Sequence, residues 1–231
     1  MVSSQDEELS RTVSLIGEDA VNKLLNTKIA VFGLGGVGGY AAEALVRSGV
    51  GSLDIVDGDT VSLSNINRQI IALHSTVGML KTDVCEQRFR DISPDIKLRK
   101  FPLVFSEQTA DKFDFSEYDY VVDAIDDVKA KVLLAVKCQQ AGTPIISSMG
   151  AGNKLHPELF RMADIYKTSV CPLARTMRTE LKKKGVTHLK AVFSTEEPFV
   201  KGRRVPSSIA FVPSAAGLVI AGEVIREICG I

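Results

Sequence analysis

The feature that most restricts the fold of this chain is a glycine cluster between an apolar run and an alanine-rich segment. The run "TKIAVFG" at 27–33 predicts a buried parallel strand, and the next segment predicts a helix from about 36 to 48. The glycines between them follow the spacing G-x-G-x-x-G: Gly33, Gly35 and Gly38. Such a loop lets backbone N–H groups and the helix N-terminus come close to a phosphate. It indicates a nucleotide site, with a ligand-free glycine-rich turn as the alternative.

Strand and helix patterns alternate through the first 150 residues. Strands are predicted at 52–57, 96–101, 118–126 and 143–150, and helices at 76–93 and from the end of the fourth strand to 140. This alternation favours an α/β, Rossmann-like, doubly wound and mostly parallel sheet. The remaining patterns are a basic helix at 171–185, a strand and turn at 190–199 and a closing amphipathic helix at 214–228. We expect a nucleotide-binding core with an N-terminal helix at 1–150, and a basic substrate-binding and dimerisation region at 151–231 packed within the same domain.

The composition limits the class and the compartment of the protein. Hydrophobic residues make up 45% and charged residues 24% of the 231, as in soluble globular proteins. The first residues contain no apolar signal-peptide core, and the run "AAGLVIAG" is too short to span a bilayer. The four cysteines form no C-x-x-C pair, which disfavours a zinc ribbon or a redox motif. These features predict a cytoplasmic protein with reduced thiols and no membrane partner.

The formal net charge of zero hides one basic region. Residues 151–204 hold twelve Lys or Arg and five Asp or Glu, a net charge of +7, so the remainder carries −7. Two basic runs in this region could follow the phosphates of a nucleic acid: Lys182, Lys183 and Lys184, and Arg203 with Arg204. A solvated helix face is the commoner explanation of a lysine run, but the charge offset favours RNA.

Polar residues around the glycine loop indicate the chemistry of the nucleotide. Asp57 ends the second strand 24 residues after Gly33, where a carboxylate can accept hydrogen bonds from ribose hydroxyls. The residues that follow add a polar and basic cluster: Asn65, Arg68, Gln69 and Lys81. A nicotinamide cofactor loses no phosphate and needs no such cluster, whereas a reaction that cleaves a triphosphate must hold charged phosphoryl oxygens. Taken singly, each basic residue could instead be exposed and without a ligand.

Carboxylates follow the fourth strand in the sequence "VVDAIDD". Asp123 and Asp126 are predicted at the carboxyl end of that strand, the edge that faces the ligand crevice in doubly wound sheets. A carboxylate there can hold a magnesium ion that bridges phosphates. We assign Asp126 as the metal ligand and Asp127 as the cap of the following helix.

As a set, these motifs resemble a known superfamily. G-x-G-G-x-G, D-x-D-x-V-x-x-S-N, N-R-Q, a downstream lysine and D-A-x-D are similar to the adenylation-domain signatures of the ThiF/MoeB/HesA superfamily, relatives of the ubiquitin-activating enzymes. This resemblance covers residues 11 to about 150. The later segment "DIYKTSVCPLARTMRTELKKKGV" with "VFSTEEPF" is similar to one branch, the tRNA threonylcarbamoyladenosine dehydratases. One departure is Cys171, where that branch often has Asp.

The resemblance implies an adenylating enzyme that uses ATP and Mg²⁺. Its ATP site would combine the phosphate loop, the ribose acid and a polar phosphate shell: Gly33, Gly35, Gly36, Gly38, Asp57, Asp59, Asn65, Arg68, Gln69 and Lys81. The implied catalytic residues are Arg68, Lys81 and Asp126, of which Asp126 also holds magnesium. In the dehydratase branch, the threonyl carboxylate of threonylcarbamoyladenosine 37 in tRNA is adenylated and then cyclised, with release of pyrophosphate and AMP.

The resemblance also implies binding partners, and it leaves alternative functions open. It suggests a homodimer that uses the closing helix around Leu218 and Ile220, and in part of the family a cysteine desulfurase system docks. The main rival is an adenylyltransferase that activates the C-terminal glycine of a ubiquitin-like sulfur-carrier protein, since it shares the ATP site. The missing C-x-x-C zinc pairs disfavour it. A nucleotide-binding scaffold without catalysis and a nicotinamide oxidoreductase are more distant alternatives.

Overall fold

The computed structural model of the chain describes residues 7–200 and 206–231. The strands in these ranges are β1 Lys28–Phe32, β2 Ser52–Val56, β3 Lys97–Phe101, β4 Tyr120–Asp123, β5 Ile145–Ser148, β6 Phe160–Asp164 and β7 Lys190–Ser194. They form one sheet in the order β3-β2-β1-β4-β5-β7-β6, in which every neighbouring pair is parallel except β6 with β7. The predicted α/β fold with a mostly parallel sheet is confirmed.

Helices connect the strands and pack on the sheet. Those of the described residues are α1 Ser10–Ile16, α2 Glu18–Leu25, α3 Gly38–Arg47, α4 Lys81–Ile92, α5 Val128–Ala141, α6 Pro172–Lys183 and α7 Phe211–Cys229. The N-terminal segment holds two helices rather than the one expected, because Gly17 has a φ of +87° and ends the first. None of the helices described has both the length and the apolar character needed to cross a membrane.

The register of the central strands brings the predicted site residues to one edge of the sheet. Phe32 of β1 pairs with Val56 of β2 and with Asp123 of β4, so these three strands end side by side. From β1 the chain runs first to β2 and β3 on one side, and then to β4 and β5 on the other. Ligands of doubly wound sheets bind at this switch point, outside the carboxyl ends of the strands.

The two faces of β1 belong to different parts of the core. Ile29 and Val31 pack in a cluster with residues of α3 and α7, whereas Ala30 and Phe32 join an aromatic cluster beneath α5. The ring centroids of Phe32 and Phe105 in that cluster are 5.0 Å apart. A strand that is apolar on both faces is therefore buried on both, as expected for the centre of a parallel sheet.

The second predicted region contributes to the same sheet and core. β7 pairs with β5, and α7 packs so closely on α3 that a Cβ at Gly217 would lie 2.4 Å from the carbonyl oxygen of Val37. Ile220 of α7 is fully buried inside this core, so it cannot contact a second copy as the sequence suggests, whereas Leu218 is 53% exposed. The boundary at residue 150 stays a prediction.

Two elements differ from the prediction for local reasons. The helix predicted at 76–93 begins five residues later, because Gly78 has a φ of +89° and Leu80 is extended and forms a β-bridge with Thr60. Strand β6 has no counterpart among the predicted elements. It is an antiparallel edge strand in which only Phe160 is buried, so it has no continuous apolar run.

Candidate active site

A cleft of about 1480 Å³ lies over the carboxyl ends of the central strands. It is lined by nearly all the residues predicted to bind ATP: Gly33, Gly35, Gly36, Asp57, Asp59, Asn65, Arg68, Gln69, Lys81 and Asp126. Gly38 is the exception. The fold thus brings together residues that are spread over almost 100 positions of the sequence.

The glycines of the loop are required by close backbone contacts. Gly33 has a φ of +90°, and a Cβ there would lie 2.6 Å from the carbonyl oxygen of Ala124 in the loop after β4. A Cβ on Gly38 would lie 1.8 Å from the carbonyl oxygen of Gly33. Gly38 therefore allows α3 to pack against the loop that follows β1. It contacts the backbone of this loop and not the cleft, which explains why it is absent from the cleft lining.

Gly38→Ala is expected to lower the free energy of unfolding by about 1–3 kcal/mol, the usual cost of forcing atoms into a packed core. The neighbouring Gly39 gives a matched control, since a Cβ there would lie 3.4 Å from the Ile70 side chain, an ordinary contact. Gly39→Ala should be neutral or slightly stabilising, because alanine is the better helix former. Urea midpoints measure both variants, and equal midpoints would contradict the packing role of Gly38.

Asp57 shapes the phosphate loop as well as lining the cleft. One carboxylate oxygen accepts the backbone N–H of Leu34 at 2.7 Å, and the other accepts that of Asp59 at 2.9 Å. Lys81, the first residue of α4, is only 5% exposed, and its Nζ lies 2.7 Å from a carboxylate oxygen of Asp59 and 3.5 Å from Asp57. The buried ammonium group is thereby held beside Asp57, the residue that bonds to the glycine loop.

The segment between β2 and α4 supplies the remaining polar groups. Arg68 Nη1 donates to the carbonyl oxygen of Ser64 at 2.8 Å and to the side chain of Asn67 at 3.0 Å. Asn65 Oδ1 accepts from the backbone N–H of Ser62. The Oε1 atom of Gln69 is buried in the cleft wall without a hydrogen-bond partner. A buried acceptor without a partner is costly, so this position fits a ligand that donates a hydrogen bond.

The acidic residues after β4 have separate roles. Asp127 caps α5 by accepting the backbone N–H of Ala130 at 2.8 Å, which confirms the predicted cap. Asp123 is fully buried and is used inside the protein, since it pairs with Lys131 at 2.9 Å and accepts from Ser147 Oγ at 2.5 Å. Asp126 is exposed in the cleft and makes no hydrogen bond or ion pair with the residues described. Of the three, it has both carboxylate oxygens available for a ligand.

Lys131 is a structural part of the site that the sequence analysis does not identify. It is fully buried, and its Nζ donates to the carbonyl oxygen of Ile125 at 3.1 Å as well as to Asp123. It thus fixes both ends of the turn that precedes Asp126. A signal is present, because Lys131 shares the helical spacing of the buried residues Leu134, Ala135 and Cys138.

The predicted nucleic-acid residues lie away from the cleft or outside the described ranges. Lys182, Lys183 and Lys184 are exposed at the C-terminal end of α6, and Lys183 pairs with Glu180 at 2.6 Å. Arg203 and Arg204 lie outside the described residues. An RNA-binding role for these runs therefore stays a prediction.

The cysteines are all buried. Burial raises the pKa of the Cys85 and Cys138 thiols far above neutrality, which keeps them protonated. Cys171 is 3% exposed, precedes Pro172 as the N-cap of α6 and lines the cleft. Its placement confirms the predicted helix-start position.

Comparisons with known proteins agree with this geometry. The ThiF family profile matches residues 9–231. The tRNA threonylcarbamoyladenosine dehydratase of Bacillus subtilis is 41% identical, with 96% of this chain and 94% of that protein covered, and the Escherichia coli protein of that name is 36% identical, with 80% and 72% covered. The crystal structure of the E. coli enzyme, TcdA, in complex with ATP superposes with a TM-score of 0.93 at 31% identity, over 100% of this chain and 97% of that one. The profile matches nearly the whole chain, and one cleft contains the glycine loop together with Arg68, Lys81 and Asp126. This chain therefore belongs to the ThiF family.

Proposed function

We propose that this protein is an ATP-dependent tRNA threonylcarbamoyladenosine dehydratase. The threonyl carboxylate of the modified adenosine attacks the α-phosphate of ATP and displaces pyrophosphate. An internal nucleophile of the same side chain then closes a ring and AMP leaves, so the net change is loss of water. The observation that carries the proposal is the single cleft that joins the glycine loop to Arg68, Lys81 and Asp126. The relatives from B. subtilis and E. coli support the choice of substrate.

The residues of the cleft suit a substrate that is already ionised. A carboxylate with a pKa of about 4 needs no general base at neutral pH. This agrees with a cleft whose lining includes Asn, Arg, Lys and Asp side chains but none of the three histidines. Backbone N–H groups of the glycine loop would receive phosphate oxygens, Asp57 the ribose hydroxyls, and Gln69 Oε1 a donor of the nucleotide. Arg68 and Lys81 would stabilise the negative charge that develops on the phosphoryl oxygens.

Magnesium fits the donor set at Asp126. No cluster of three or more His, Cys, Asp or Glu suited to a metal occurs among the described residues. Mg²⁺ bound to nucleotides commonly takes one or two carboxylates together with phosphate oxygens, so one free carboxylate suffices. Bound there, the ion would neutralise phosphate charge, and Asp126 is the residue of this chain that would hold it.

The test of the proposed function compares two acceptors. We expect AMP and pyrophosphate to be released from ATP with tRNA that carries threonylcarbamoyladenosine, and not with the same tRNA lacking the modification. A ubiquitin-like carrier protein ending in glycine should support no release. AMP release with the carrier protein and none with the modified tRNA would overturn the assignment in favour of the carrier-activating alternative.

Charge reversal of Lys182, Lys183 and Lys184 to Glu is expected to weaken tRNA binding and to flatten its salt dependence, by roughly 0.7–0.9 in the log–log slope per phosphate no longer neutralised. ATP affinity should not change, because these residues lie outside the cleft. Reversal of Lys97 and Lys112, exposed residues outside the basic region, is the control. Filter binding across a salt series measures the effect, and an unaltered slope would assign the lysines to a solvated helix face.

Cys171→Ser is expected to keep ATP-dependent cyclisation of tRNA, because the attacking atom of a dehydratase belongs to the substrate. The measurement is mass spectrometry of nucleosides from digested tRNA. A carrier-activating enzyme that works through a thioester or persulfide would need the thiolate. Complete loss of turnover, with folding and ATP binding preserved, would therefore indicate a covalent cysteine step.

The assembly and the compartment complete the proposal. We infer that the protein is cytoplasmic and forms a homodimer in which the exposed Leu218 of α7 contacts the second copy. We also infer that a cysteine desulfurase system docks on it as a further partner. Sedimentation velocity of the wild-type chain and a Leu218→Asp variant tests the dimer.

A further inference from the structure

A second buried lysine, besides Lys81, lines the cleft. Lys154 is 5% exposed, and its Nζ donates to the backbone carbonyl oxygen of Glu196 at 2.5 Å. An ammonium group has three donors, and a buried one normally pairs with an anion. No carboxylate of the described residues lies within 4.0 Å of this Nζ. The nearby Glu196 carboxylate instead accepts the backbone N–H groups of Leu155 and His156 at 2.9 and 3.0 Å.

The turn that carries Lys154 is fixed by its neighbours. Asn153 has a φ of +58°, and it exchanges two hydrogen bonds of 2.7 Å with the backbone of Ser207. The carbonyl oxygen of Asn153 also accepts the backbone N–H of Phe199 at 2.7 Å. A Cβ at Gly152 would lie 2.6 Å from the Pro206 side chain. These contacts fix the backbone that carries Lys154, and the bond to the carbonyl oxygen of Glu196 places its ammonium group.

The place of Lys154 in the sheet separates it from the phosphate loop. The glycine loop follows β1 and Asp57 follows β2, which are neighbouring strands. Lys154 follows β5, which is separated from β1 by β4. Both sets line the same cleft. Lys154 therefore lies on the β5 side of the cleft, away from the strands that carry the glycine loop and Asp57, and within the described residues its ammonium group pairs with no carboxylate.

The start of α6 adds a second feature that favours an anion. Cys171, Pro172 and Leu173 line the cleft beside Gly150, and this twelve-residue helix has no side-chain cap and no acidic residue in its first turn. The N–H groups of Leu173 and Ala174 make no hydrogen bond to a described residue. Free N–H groups at a helix start attract negative charge.

We propose that Lys154, assisted by the start of α6, binds the substrate carboxylate that attacks ATP. This inference rests on the proposed function, in which the substrate carboxylate enters a cleft that already holds the triphosphate of ATP. Two anions repel each other strongly when water is excluded, so a buried cation is needed to bring them together. RNA phosphates would be met by exposed basic residues instead, which is why we assign the carboxylate to the buried one.

The test uses an anticodon stem-loop RNA that carries threonylcarbamoyladenosine, and the same RNA with the threonyl carboxylate replaced by a carboxamide. Binding is measured by calorimetry with α,β-methylene-ATP present, since this analogue cannot release pyrophosphate. We expect the wild-type protein to prefer the carboxylate by about tenfold or more, the usual effect of a hydrogen bond to a charged group. Lys154→Met should bind both RNAs equally and keep its affinity for the ATP analogue.

Control variants separate binding from structure. Lys167→Met removes an exposed charge from the same basic region and should keep the preference for the carboxylate. If Lys154→Met is unfolded by its melting curve, Lys154→Gln, which can still donate to Glu196, replaces it with the same expectation. A variant that is folded and retains the preference overturns the inference. A wild-type protein that releases no AMP with the carboxylate RNA and natural ATP overturns the proposed function instead.

Discussion

Replacing Arg68 or Asp126 with alanine is expected to lower turnover by roughly 100-fold or more, the loss typical of removing one preorganised electrostatic group. Both side chains line the cleft beside the glycine loop. The contacts of Arg68 should strengthen as charge develops on the phosphoryl oxygens, and Asp126 should act through the magnesium ion that we propose it holds. Turnover should therefore fall more than KM for ATP rises.

Two matched variants make this expectation specific. Arg90→Ala removes an exposed arginine that pairs with Glu86 on α4, outside the cleft. Asp127→Asn alters the carboxylate next to Asp126 but keeps a good helix cap. Both should retain wild-type rates of pyrophosphate release with modified tRNA. If Arg68→Ala and Asp126→Ala also retain those rates, the reacting phosphate lies elsewhere and our site is wrong.

The sequence predicts those parts of the site that depend on local patterns. The glycine spacing, the strand-end position of Asp57 and the cap role of Asp127 can each be seen within a few residues. Because strands of a parallel sheet end at one edge, the meeting of these segments follows from the fold class alone. The same reasoning cannot show that Asp57 accepts the N–H of Leu34, which is 23 residues away.

Features that the sequence does not predict depend on distant contacts. Lys154 looks like an ordinary solvated lysine in the sequence, and only its helical spacing marks Lys131 as buried, yet burial gives each a defined partner that no local pattern reveals. Ile220 is expected on a dimer surface, but its burial depends on how α7 packs on α3 through Gly217. Strand β6 forms because β7 offers it an edge, not because its own residues are strongly apolar. These features all arise between elements and not within them.

The buried pair of Asp123 and Lys131 gives the second large expected effect. Lys131→Met keeps much of the side-chain volume but leaves the Asp123 carboxylate buried without its cation. We expect the free energy of unfolding to fall by about 3–5 kcal/mol, the usual cost of breaking a buried ion pair from one side. That is a large part of the roughly 5–15 kcal/mol by which a domain is stable. Urea unfolding with an unchanged m-value measures the loss.

A double-mutant cycle identifies the uncompensated charge as the cause. Asp123→Asn combined with Lys131→Met removes both charges. The amide oxygen of Asn can still accept from Ile125 N–H, and its NH2 group can donate to Ser147 Oγ, which in the wild-type protein donates to the other carboxylate oxygen. The double variant should recover a substantial part of the stability lost in Lys131→Met, because no unpaired charge remains in the core. Lys129→Met, an exposed position on the same helix, should stay within about 0.5 kcal/mol of wild type. If the double variant is as unstable as the sum of the two single variants, Lys131 acts through packing and its bond to the Ile125 carbonyl, and not through the charge of Asp123.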